Sequence, residues 1–324
     1  MTKVERQILQ KILMKCIEYF PGSQQEKWLD DYKKRIESHI FYHDEPLVTL
    51  FSLYLLFREQ AEDELQNGKD KLNHLLRTVF TQRHDVDFPQ LKTIEKVRLE
   101  TALPENLTYR EALRNSILAN TEKIFHPYHD RHTRLATKLQ GATASLEGNT
   151  HLDLLITGKD SQDQTHLIFT EAKFLSDISY SITYSPTRNQ IARNLDIAIE
   201  LILGKTRYNV DFNIPNSIDH FWFILLTPRI FRTKTFGANG NTRNLLEKPD
   251  RSRLYCYKMD DYAEPEKLKA DLEHWQPILK PTDWETLSNH IGWLSFEEIV
   301  EQGGDSLVSS PELKNFFKQR GFIT

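Results

Sequence analysis

Residues 151–174 read HLDLLITGKDSQDQTHLIFTEAKF, two apolar runs separated by a polar gap. Runs of this length, bounded by Gly, Lys, Asp, Ser and Gln, predict two β-strands joined by a turn. Side chains alternate faces along a strand, so Glu171 and Lys173 point the same way and Ala172 points to the other side. Charges set on an apolar run carry a desolvation cost. They are therefore either paired bystanders or groups placed for chemistry. If the gap closes with Thr157 opposite Thr165, Asp153 stands opposite Phe169 and Glu171 is its diagonal neighbour, about 7–8 Å away at the backbone.

The surrounding sequence supplies a frame for such a hairpin. Val4, Ile8, Ile12 and Cys16 recur at helical spacing until Pro21-Gly22, and similar patterns over residues 28–40, 46–65 and 71–80 predict an all-helical accessory unit over 1–104. A further helix is expected over 108–125. Three short strands follow, at 142–148 (ATASLEG), 151–158 and 165–174. A helix over 187–203 carries the apolar stripe Ile191, Leu195, Ala198 and Ile202. HFWFILLTPRIF predicts a buried strand, RLYCYKM over 253–259 another, and 263–324 returns to helices. The expected units are thus 1–104, 105–262 and 263–324.

Composition excludes several classes. Two cysteines, Cys16 and Cys256, and no CxxC speak against a disulfide framework or a structural zinc site. Charges interrupt the apolar face of the first twenty residues. LVTLFSLYLLF, the longest apolar stretch, is about half of the roughly 20 residues a membrane span needs. A soluble, cytoplasmic protein with no membrane partner is expected. The net charge of −4 gives no overall bias toward polyanions, but residues 229–253 set seven cations, among them Arg229, Arg232, Lys234 and Arg243, against Glu247 and Asp250. A basic, glycine-containing loop of this kind suits a phosphate backbone.

Two carboxylates on adjacent strands, with positions to spare for water and phosphate oxygens, form the kind of site Mg²⁺ uses. A neighbouring ammonium could orient or help deprotonate an attacking water and offset charge on a phosphorane. Here the chain resembles the PD-(D/E)xK nuclease superfamily over roughly residues 108–260. Asp153, Glu171 and Lys173 occupy the signature positions. Gln190 in TRNQIARNLD matches the Gln that many members carry on the following helix. The residues before Asp153 are Thr150-His151-Leu152, so the motif's Pro is absent. The resemblance implies an α/β fold with a restriction-endonuclease-like αβββαβ core and a mixed central sheet, flanked by helical N-terminal and C-terminal regions. It implies a Mg²⁺-dependent endodeoxyribonuclease, with Mn²⁺ able to substitute, acting on DNA in restriction, defence or repair. RNA as substrate and a homodimer stay open. Asp153 and Glu171 would bind metal, joined by Glu147 or, in competition with it, Glu111 or Glu122. Lys173 and Gln190 would act on water and substrate, and Arg188 and Arg193 would join the basic loop on DNA.

Other triplets, Asp31-Tyr32-Lys33 and Glu312-Leu313-Lys314, lie in helical patterns where i and i+2 do not share a face. His126, His129 and His132 fit a solvated or DNA-adjacent cluster better than a zinc site. Two bland alternatives remain: a cross-strand salt bridge at a sheet edge, and a non-catalytic nucleic-acid or protein-binding module on a nuclease-like fold.

Overall fold

A computed structural model describes residues 3–19, 30, 32–34, 36–37, 45–57, 64–103, 150–178, 189–203, 217–232, 253–272 and 279–323. The strand expected at 142–148, the helices expected over 28–40 and 108–125, and the histidines of 126–132 lie outside these residues or nearly so. Among the described residues are α1 (Lys3–Tyr19), α2 (Glu45–Phe57), α3 (Glu64–His84), β1 (Leu91–Leu103), β2 (Thr150–Asp160), β3 (Thr165–Ala172), α4 (Gln190–Ile202) and β4 (His220–Thr227). They are followed by α5 (Arg229–Arg232), α6 (Leu254–Asp261), α7 (Pro265–Leu272), α8 (Pro281–Asn289), β5 (Ile291–Ser295), α9 (Phe296–Gln302), α10 (Gly304–Val308) and α11 (Pro311–Gln319). The fold is mixed α/β, built on a five-stranded mixed sheet in the order β1-β2-β3-β4-β5.

β2 and β3 form the hairpin expected from the sequence, but its turn is tighter. The Asp160 carboxylate accepts from the backbone N–H groups of Gln162 (2.8 Å) and Gln164 (3.0 Å), and Asp163 takes a left-handed φ of 59°. Lys159 and Asp160 are thereby kept in the strand. Leu167, two positions beyond Thr165, faces Thr157, and Leu154 faces Thr170. One step further along this register, Asp153 is level with Glu171 and not with Phe169.

Three expectations are corrected. The first hundred residues are not all helical, because LKTIEKVRLETAL forms β1, antiparallel to β2. Buried Val97, Leu99, Thr101 and Leu103 keep a two-residue period there, while the charges between them and two register shifts upstream conceal it. Residues 254–261 are helix α6 and not a strand: Tyr255, Cys256 and Met259 are buried at helical spacing, and the Asp177 carboxylate accepts from the N–H groups of Leu254 (2.6 Å) and Tyr255 (3.2 Å) at the helix start. The carboxyl-terminal region is not purely helical either, since IGWLS adds β5 parallel to β4. A Cβ at Gly292 would stand 2.6 Å from Val79 Cγ1, so this strand needs glycine to let α3 lie against it.

The sheet is covered on both faces. Leu154, Ile156, Ile168, Trp222, Ile224 and Leu226 share one cluster with residues of α1, α2, α3, α9 and α11. Leu155, Leu167, Phe169, Phe221, Phe223 and Leu225 pack on the other side with α4, α6, α7 and α8. The helices α1 to α3 thus form a layer of the same core. Every residue of α2 from Leu47 to Phe57 is buried, as befits a helix apolar all round. No helix of the described residues is long and apolar enough to cross a membrane.

Candidate active site

β3 ends at Ala172, and the Lys173 N–H makes the next rung by donating to Leu226 O of parallel β4 (2.8 Å). This end of the strand gathers the charges. Lys173 Nζ donates to Glu171 Oε1 at 2.7 Å, as the shared face predicts, and both side chains are buried at 7% and 1% exposure. From β2, the Asp153 carboxylate reaches across, and its Oδ2 accepts from the Ala172 N–H at 2.7 Å.

α4 fixes Glu171 from the face it covers. Asn189 caps this helix, its side chain accepting from Ala192 N–H at 3.0 Å. Gln190 and Asn194, one turn apart, then point the same way. Gln190 Nε2 donates to Glu171 Oε1, and Asn194 Nδ2 donates to Glu171 Oε2 at 2.9 Å. Gln190 therefore meets Glu171, where action on water and substrate is the expectation from the resemblance. The sequence assigns Asn194 no role, although it lies one helical turn after Gln190.

A third carboxylate comes from the amino-terminal layer. Glu45, the first residue of α2, places Oε1 3.5 Å from Lys173 Nζ, while its Oε2 accepts from the Phe174 N–H (2.8 Å) and the Ser176 hydroxyl (2.6 Å). No local pattern announces it, because 128 residues separate it from Lys173.

Electrostatics follow from this crowding. Burial, and then repulsion from Glu171, hold the Asp153 carboxyl well above the ordinary aspartate value against the pull of Lys173, with Glu45 and Glu100 adding to the rise. Burial likewise raises Glu171, opposed by the charge and hydrogen bond of Lys173. For Lys173, burial alone would lower the pKa. Glu171, Asp153 and Glu45 outweigh it and raise the ammonium above the ordinary lysine value. Lys173 therefore stays charged, which favours orienting and charge-offsetting roles over deprotonating a water.

The donor set suits a hard cation. The carboxylates outnumber the one ammonium, and Asp153 Oδ1 has no hydrogen-bond partner among the described residues. No group of three or more His, Cys, Asp or Glu side chains among the described residues is arranged to hold a metal ion. Glu147, Arg188, Lys234 and Arg243 lie outside the described residues, as do Glu111 and Glu122.

The remaining described arginines are buried or paired within the fold. Arg193 is buried at 5% exposure on α4. Arg229 donates to Glu301 at 2.7 Å, and its N–H bonds Glu297. Arg232 is held by both oxygens of Glu298, one at 2.6 Å, and by Trp293 O at 2.8 Å. These last two pin α5 to α9.

No protein-family model, curated protein or solved structure matches the chain.

Proposed function

We propose that the chain is a metal-dependent nuclease that hydrolyses phosphodiester bonds of DNA, with a PD-(D/E)xK-like centre on a restriction-endonuclease-like core. One observation carries this reading: the Asp153 carboxylate of β2 takes the N–H of Ala172, between Glu171 and Lys173, at 2.7 Å, and the buried Lys173 ammonium lies 2.7 Å from Glu171 at the strand end. The connection of antiparallel β1, β2 and β3 through α4 to parallel β4 agrees with the order of elements in that superfamily.

Asp153 and Glu171 are the residues that would hold Mg²⁺ or Mn²⁺, which when bound polarises a phosphoryl oxygen and lowers the pKa of a water. Gln190 and Asn194 keep Glu171 in one rotamer. Lys173, as a permanent ammonium, would hold the attacking water or a nonbridging phosphate oxygen and offset the charge that develops on phosphorus. The Ala172 N–H fixes the carboxylate plane of Asp153. Together these residues supply orientation and electrostatic stabilisation, which phosphoryl chemistry chiefly requires.

A non-catalytic binding module is the competing reading. It is favoured by one feature: both oxygens of Glu171 already accept hydrogen bonds from protein donors. Incubating the full chain with supercoiled, linear, single-stranded and junction DNA, and with RNA, in Mg²⁺, Mn²⁺ or EDTA separates the two. Cleavage that EDTA stops supports the nuclease. Binding without cleavage under every metal supports the module.

A further inference from the structure

The segment leaving β3 is tied to a distant part of the chain by a single residue. Past the rung that Lys173 N–H makes to Leu226 O, the Phe174 N–H takes a Glu45 oxygen, and the Ser176 hydroxyl takes the same oxygen. A backbone N–H left unpaired at this depth would be costly, and Glu45 satisfies it. The other Glu45 oxygen faces Lys173 Nζ at 3.5 Å. α2, which delivers the residue, is buried from Leu47 to Phe57 and acts as a rigid strut.

A lysine side chain has several rotatable bonds to fix, so one carboxylate partner leaves its head free to pivot. Lys173 instead lies between Glu171 on its own strand and Glu45 on the opposite layer. We propose that Glu45 is a positioning residue of the active centre: it clamps residues 173–176 and fixes the Lys173 ammonium between two carboxylates, making the amino-terminal helical layer part of the site. The consequence for catalysis rests on the nuclease reading. The clamp itself does not.

Two full-length variants, Glu45→Ala and Glu45→Gln, test this through two readouts. Amide hydrogen exchange across residues 173–178 reads the clamp, and single-turnover cleavage with DNA affinity in EDTA reads the consequence. Loss of a charged hydrogen-bond acceptor should speed exchange in Glu45→Ala by roughly tenfold to a hundredfold, and less in Glu45→Gln, whose amide keeps one acceptor. Cleavage should fall by about tenfold or more in Glu45→Gln, because the charge facing Lys173 is gone, while affinity for DNA holds. Adding Lys173→Ala to either variant should cost no more than Lys173→Ala alone, which a merely structural Glu45 would not produce. Unchanged exchange in Glu45→Gln and in Glu45→Ala, or in the former alone where the latter does not fold, overturns the clamp. Wild-type cleavage by Glu45→Gln overturns the positioning role. A wild-type protein that cleaves nothing would remove the nuclease reading and leave the exchange result to decide the clamp.

Discussion

Asp153 Oδ2 accepts a 2.7 Å hydrogen bond from the backbone N–H of Ala172, the residue between Glu171 and Lys173. The carboxylate of one strand is thus held by the main chain of the next, at the point where that strand's acid and base diverge. This hydrogen bond depends on the hairpin and not on the charged side chains beside it, so altering Glu171 or Lys173 should leave it in place.

The first expectation concerns the cost of this carboxylate. Asp153 has its carboxyl raised well above the ordinary value, by burial first and Glu171 next. A raised acid makes the fold more stable when protonated, and that stability is lost as pH rises from the unfolded value through the folded one. Asp153→Asn keeps an oxygen for the Ala172 N–H and removes the charge. Its melting temperature should therefore equal or exceed that of the wild type, by a margin that widens as pH rises above the ordinary aspartate value. A margin that narrows with rising pH would contradict the assignment.

Lys173 should behave in the opposite sense. Removing it leaves Glu171, Asp153 and Glu45 without their cation in a buried site, so Lys173→Met should cost roughly 3–5 kcal/mol of unfolding free energy. Denaturant titration reads this directly. Combining Lys173→Met with Glu171→Gln should restore part of the loss, because the best-buried orphan charge is then neutral.

Gln190 and Asn194 should contribute through Glu171. Each donates one hydrogen bond to a charged acceptor, worth about 1.5–3 kcal/mol. Gln190→Ala and Asn194→Ala should therefore slow single-turnover cleavage by about tenfold to a hundredfold, each less than Glu171→Gln. With Glu171→Gln already present, either change should add little. Full additivity would place them elsewhere in the reaction.

Acid should weaken the far end of the sheet. His166 accepts from Trp222 Nε1 at Nδ1 (3.1 Å) and faces Asp160 at Nε2 (3.2 Å), which makes it the neutral tautomer with its proton on Nε2. Burial lowers its pKa against the pull of Asp160. His290, stacked 3.8 Å from Trp222, is brought down to about 4 by burial, with Phe221 O opposing and His220, His166 and His84 assisting. A lowered histidine contributes stability that is present above its unfolded value near 6.5 and lost as pH falls. For His290 alone the loss amounts to roughly 3 kcal/mol by pH 4. Unfolding free energy should decline from pH 7 to pH 4.5, and the decline should be shallower in His290→Gln.

What the sequence revealed and what it hid divide along physical lines. The β2–β3 hairpin, α4 and β4 announce themselves by local periodicity, and Glu171 and Lys173 meet as their spacing implies, while Gln190 reaches Glu171 from α4. The hairpin register differs by two residues from the one expected, because the Asp160 carboxylate caps the turn from within the strand. β1 was hidden by the charges that alternate with its apolar residues, and β5 by its five-residue length between helices. Arg229 and Arg232 look like free cations in a basic stretch until α9 brings Glu301 and Glu298 against them. Glu45 could not be read at all, since only tertiary packing carries an acid from α2 to Lys173.

The same packing alters what truncation should do. A chain beginning at Pro104 lacks β1 and the α1–α3 layer that covers Ile156, Ile168, Trp222 and Ile224. It should fail to fold cooperatively, by circular dichroism and thermal melting. A soluble, cooperatively melting fragment would show that the remaining layers suffice.

The central claim, that Asp153, Glu171 and Lys173 form one phosphodiesterase centre, is tested most directly by single-turnover cleavage of DNA in Mg²⁺ or Mn²⁺ by the wild type, Asp153→Ala, Glu171→Ala, Lys173→Ala and the Glu171→Ala/Lys173→Ala pair. The account predicts cleavage by the wild type that EDTA stops, near-complete loss in each single variant with DNA affinity largely kept, and a double variant scarcely worse than either single. Cleavage at the wild-type rate by any of the three single variants would contradict it.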